Sequence, residues 1–144
     1  MRILEGERMT AQEYLQQYGD AEIVARRLKS EYDKEAEFLD SIRSPQGSDG
    51  QPRGRSGSSP IEYKAVRLAE KLTEYRDAEF EAIRIKHKIL KTVNAVPGPA
   101  GAVLYERYIN LRSWRQVAET LHYSKRHCHN LHKRGLNIVE GLIR

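Results

Sequence analysis

The sequence predicts an all-α protein: a long antiparallel helical hairpin followed by a three-helix module that ends in a helix-turn-helix. Three observations carry that expectation. Two proline-free runs with apolar residues at helical spacing flank a stretch that has no apolar side chain at all. The last third holds two amphipathic segments, each opened by a serine and separated by a short turn. The surplus of positive charge also falls there. Residues 97–144 hold eight Lys/Arg against three acids, a difference of +5 that equals the formal net charge of the chain, so residues 1–96 balance at 17 of each sign.

Composition narrows the class. With 144 residues, 39% apolar and 31% charged, the chain is one domain, or a small domain with an extension, and its core is modest. Such charge density suits long, half-exposed helices. One cysteine, Cys128, excludes a disulfide framework within the chain and fits a reducing, intracellular setting. The opening MRILEGERM lacks the apolar segment of a secretory signal, and eighteen apolar residues never run together, so neither a signal nor a membrane partner is expected.

Residues 1–9 show no pattern and read as a frayed leader. Thr10 with Glu13 three residues on is a capping box, in which each side chain satisfies the other's backbone N–H. Leu15, Tyr18, Val24, Leu28, Tyr32, Ala36, Leu39 and Ile42 then form a helical stripe, predicting a helix over about 11–43 with a kink or break near Gly19-Asp20. Residues 44–60 contain twelve Gly, Ser or Pro among seventeen, so 44–59 reads as a flexible loop, a tolerated surface insertion in the plainer account and a phosphate contact through its two arginines in the sharper one. Ser59 as N-cap and Pro60 in the first turn start a second helix, about 60–95. Its stripe is Ala65, Leu68, Leu72, Tyr75, Ala82, Ile89 and Val93, widened by Val66, Phe80, Ile83 and Leu90.

Two long helices joined by a loop make a hairpin with little core, so residues 1–96 form an oligomerisation or partner surface, with a homodimer as the expected assembly. A scaffold that packs only on itself is the competing reading. Pro97-Gly98-Pro99 ends the long helix as a stiff hinge, and residues 97–144 form the second domain. Its first helix, 100–111, buries Val103, Leu104, Tyr108 and Leu111, and Trp114 plugs the centre of the module.

Ser113 with Gln116 is another capping box, and Ser124 caps the longer basic helix. In a helix-turn-helix the second helix enters the major groove of double-stranded DNA with its N-terminal residues at the base edges. Lys125, Arg126, His127, His129 and Asn130 occupy those positions. Arg and Lys match guanine and Asn matches adenine. Lys133 and Arg134 lie further along, where phosphate contact is expected, and Arg112 and Arg115 flank the first helix of the motif as a backbone clamp. Ser113 and Ser124 can also donate to phosphate, although capping alone explains them.

A solvated basic face is the plainer account of these cations. The sharper rival is a metal site, because Cys128/His132 and His129/His132 are at helical spacing and His122 and His127 lie close in sequence. No second ligand cluster exists, and Cys128 falls on the apolar stripe, so no metal or other cofactor is expected. Catalysis is not expected either: there is no oriented third group beside Cys128 and its histidines, and no Gly-rich phosphate loop.

The segment YERYINLRSWRQVAETLHYSKRHCHNLHKRGL resembles the C-terminal domain of the RinA/ArpU-like phage transcriptional regulators. The resemblance rests on RYIN ahead of Ser113-Trp114, the Val-Ala-x-x-Leu helix, Tyr123-Ser124 at the turn, and Leu131-His132-Lys133-Arg134 with Leu136. The opening MTAQEYLQQY and the Gly/Ser-rich break are similar to one branch of that group. His122 stands where glycine is usual, and Cys128 where valine or isoleucine is usual. The resemblance implies a sigma-like helix-turn-helix, binding to phage or prophage promoter DNA, late-gene regulation with host RNA polymerase as partner, and the bacterial cytoplasm as location. A small terminase subunit, which would form a ring, and a DNA-independent interaction scaffold are the alternatives.

Overall fold

The computed structural model describes residues 9–43 and 60–144; the expectations for the rest of the leader, for loop 44–59 and for Ser59 lie outside them. Every regular element among the described residues is helical. In chain order these are α1 (Ala11–Arg43), α2 (Pro60–Asn94), α3 (Gly98–Leu104), a π-helical turn (Tyr105–Ile109), α4 (Trp114–Leu121) and α5 (Lys125–Leu142). No helix is long and apolar enough to cross a membrane among the described residues.

Contacts divide the chain within the two long helices, not at Pro97. One unit comprises residues up to Glu22 together with Glu81–Arg144, and the other is Ile23–Phe80.

In the first unit the opening turns of α1 pack antiparallel to the closing turns of α2. Leu15 and Tyr18 meet Ile89 and Val93 in one core, and the Tyr14 and Thr92 hydroxyls share a hydrogen bond of 2.9 Å. That core continues through Val96, Ala100, Leu104, Tyr108, Ile109 and Val139, so the Pro97–Pro99 corner is packed on both sides. The corner is tight because Gly101 sits under the Val96 carbonyl, where a Cβ would collide with backbone. The capping box of Thr10 and Glu13 forms at 3.0 and 3.1 Å and holds Glu13 below the usual carboxylate range. Glu140 of α5 accepts from the Ala11 N–H at 2.9 Å, which ties the start of α1 to the end of α5.

Two expectations in this unit are corrected. α1 runs unbroken through Gly19. The glycine leaves room for Leu111, whose Cδ2 lies 3.3 Å from where a Cβ on Gly19 would be. The first helix of the module is not a single α-helix over 100–111. It starts at Gly98, widens into the π turn after Leu104 and stops at Ile109. Leu111 is consequently not on a buried helical side: its backbone is left-handed (φ 54°) and its side chain is exposed.

In the second unit the two helices again run antiparallel. Glu31 pairs with Lys71 at 3.6 Å, Tyr32 stacks on Tyr75 with ring centroids 6.4 Å apart, and Lys64 lies over the Phe38 ring at 4.6 Å. Among the described residues, Ala25 and Leu39 are its buried apolar ones. Val24, Ile42, Val66 and Phe80, all expected on the buried stripes, are exposed here, and so is Ile83 in the first unit. A helix with one neighbour buries a narrow strip, and these positions fall beside it.

Candidate nucleic-acid interface

α4 and α5 are set by their caps. Ser113 Oγ accepts from the Gln116 N–H at 3.2 Å while Gln116 Oε1 accepts from the Ser113 N–H at 2.9 Å, the complete box expected. Ser124 Oγ accepts from the His127 N–H at 3.1 Å, and α5 begins at Lys125. Between the helices His122 adopts the left-handed conformation (φ 58°, ψ 40°) that closes a helix C-terminus, and its N–H donates to the Ala118 carbonyl.

Under these helices Val103, Val117, Ala118, Cys128 and Leu131 form a second small core, with Trp114, Leu121 and Tyr123 packed against it. Cys128 is wholly buried, and burial pushes its thiol up. α5 approaches α3 closely where Gly135 meets Leu104; a Cβ there would lie 2.9 Å from the leucine side chain. One line of α5, namely Cys128, Leu131, Gly135 and Val139, is therefore buried. The opposite side is open.

The candidate residues sort into two groups. Some are engaged within the protein. Arg112 pairs with Glu106 at 3.0 Å and its carbonyl accepts from Arg107 at 2.9 Å. Arg115 pairs with Glu119 at 3.2 Å. His129 lies against the Trp114 ring with centroids 4.4 Å apart, and His127 meets the Tyr123 ring edge-on at 4.8 Å. Ser113 and Ser124 serve as caps. The others, Lys125, Arg126, Asn130, Lys133 and Arg134, are exposed and have no hydrogen-bond or ion-pair partner among the described residues.

Trp114 is the hub that spacing did not fully reveal. It is half-buried, with His129 and His132 against it and the Arg107 guanidinium 4.8 Å from its ring centre. His132 faces inward and shares a hydrogen bond of 2.7 Å with the Tyr108 hydroxyl. Burial, followed by the nearby His129 and Arg107 charges, lowers the His132 pKa to about 4, and burial raises Tyr108 to about 12. Both groups are neutral at pH 7. The positions of Arg107 and Tyr108 depend on the π turn, for which the sequence carried no signal. Among the described residues no three His, Cys, Asp or Glu side chains gather as metal ligands.

Chemically, this arrangement is a stiff basic rod. Its N-terminal end adds the partial positive charge of unpaired backbone N–H groups, favourable to phosphate. No acid occurs on α5 before Glu140, and that carboxylate is engaged by Ala11 and Arg144.

No protein-family model matches the chain, and neither the curated proteins nor the solved structures yield a match.

Proposed function

We propose that the chain is a sequence-specific regulator that binds double-stranded DNA through α5 in the major groove. The observation that carries this reading is the open face of α5. Arg126 and Lys133 stand at its centre and Lys125 and Arg134 on its two flanks, all four without a carboxylate partner among the described residues, while Arg112 and Arg115 beside them are paired. Cations left unpaired on a rigid, capped helix are the arrangement that phosphate and guanine recognition require. Arg112 and Arg115 can still reach the backbone, because exposed ion pairs are worth little and exchange readily for phosphate. The phage or prophage setting, the late genes and host RNA polymerase as partner rest on the sequence resemblance.

Dimerisation completes the reading. In Ile23–Phe80 the apolar residues Val66 and Phe80 are exposed, and a second copy would cover them. The same exposed residues would suit the protein contacts of an interaction scaffold. Mass in solution distinguishes a dimer from the ring of a packaging subunit.

Titration against duplex DNA tests the proposal. Affinity falls steeply with salt, and Lys125→Ala with Arg126→Ala abolishes sequence preference. Binding that ignores both substitutions would sink the base-reading assignment, and the absence of any salt-dependent binding would favour the scaffold.

A further inference from the structure

We infer that the reading face of α5 extends three turns into the helix, to Asn137, and that Asn137 determines specificity at one end of the half-site by hydrogen bonding an adenine edge. The inference rests on the DNA-binding reading above and gives it a length and a further residue. At 100° per residue, positions separated by four, seven and eleven share one face of a helix. On α5 that face carries Arg126, Asn130, Lys133 and Asn137, all exposed, diametrically opposed to the buried line of Cys128, Leu131, Gly135 and Val139. The flanking candidates point elsewhere: His129 turns to Trp114 and His127 to Tyr123.

The structure beneath Asn137 favours contact with a ligand. Gly135 and Val139 on either side are buried, so this turn is held against the core. Asparagine is a weak helix former because its amide competes for backbone groups. Here the amide has no hydrogen-bond partner among the described residues, and helix stability does not explain its presence. An asparagine amide matches the adenine edge in the major groove, donor to N7 and acceptor from N6. Helices that lie along the groove read it with residues spaced over several turns, as Arg126, Asn130 and Asn137 are. Arg126 to Asn137 spans about 16 Å, the rise of about five base pairs.

The test uses the full chain and a duplex selected by the wild type from a random pool, with Asn137→Ala as the variant. Against the selected duplex the variant loses roughly 5- to 150-fold in affinity. Against a scrambled duplex it loses nothing. Its salt dependence is unchanged, because no charge is removed. A repeat selection with the variant relaxes one A·T pair at the edge of a half-site of about five base pairs. A change of less than twofold on the selected duplex overturns the inference, as does an equal loss on both duplexes. An unchanged melting temperature guards against a folding effect. A wild type that cannot tell the two duplexes apart would instead overturn the DNA-reading assignment itself.

Discussion

The Tyr108 hydroxyl and His132 Nε2 are 2.7 Å apart, joining the π turn to α5. With its ring proton on Nδ1, a neutral His132 accepts from the phenol O–H. Protonation removes that acceptor. His132 titrates at about 4 in the folded protein against an ordinary 6.5, with burial as the main cause. Between those values the unfolded chain binds the proton and the folded protein does not. This contribution is therefore complete above pH 6.5 and is lost as pH falls towards 4. The ring is only partly buried, so solvent screening reduces the loss to on the order of 1–2 kcal/mol. His132→Gln, which does not titrate, should lose less stability than wild type between pH 7 and pH 4.5. Equal losses in thermal unfolding would show that His132 is not the responsible group.

His122 ends α4 with φ 58° and an exposed side chain, in a conformation glycine adopts without steric cost. His122→Gly should stabilise the protein by about 0.5–1 kcal/mol, the relief of strain exceeding the added entropy of the unfolded chain. That corresponds to a rise of a few degrees in melting temperature. A fall would mean that the imidazole makes a contact that outweighs the strain.

These two residues illustrate what could be read locally. The boxes at Thr10/Glu13 and Ser113/Gln116 and the Ser124 cap each depend on residues within four positions, so spacing revealed them, whereas the left-handed backbone of His122 was not read from its residue type. Leu111 and Gly19 did not yield to spacing, because their contact joins positions far apart in the chain. The burial of Trp114 was anticipated, but its ring contacts with His129 and His132 depend on how α4 and α5 cross. Periodicity alone placed Val66 and Phe80 on the buried stripe. The strip covered by one neighbouring helix was too narrow to reach them.

Gly101 lies where α2 turns into α3, and a Cβ there would meet the Val96 carbonyl oxygen, with the carbonyl carbon 3.1 Å away. Neither can move cheaply, because Val96 and Ala100 are both buried. Gly101→Ala should destabilise by about 2 kcal/mol or more, despite the better helix propensity of alanine. Gly141 near the end of α5 is the control, since nothing lies within 4 Å of its would-be Cβ. Gly141→Ala should be stabilising by up to about 1 kcal/mol. Urea midpoints compare the pair, and opposite signs are expected.

Val66 and Phe80 stand fourteen residues apart on one face of α2, with Thr73 midway, and are 60% and 71% exposed. Among the described residues of Ile23–Phe80, Ala25 and Leu39 are the buried apolar ones, a small core for two helices. If a second copy covers this face, Val66→Glu with Phe80→Glu should leave helicity intact, because neither side chain supports the described core. It should also shift the mass from dimer to monomer at micromolar concentration. DNA affinity would then weaken through the loss of two-site binding, while the salt dependence of each bound module stays the same. Light scattering on the wild type and the double variant decides the matter. A monomeric wild type, or a variant of unchanged mass, would remove this face as the dimer contact.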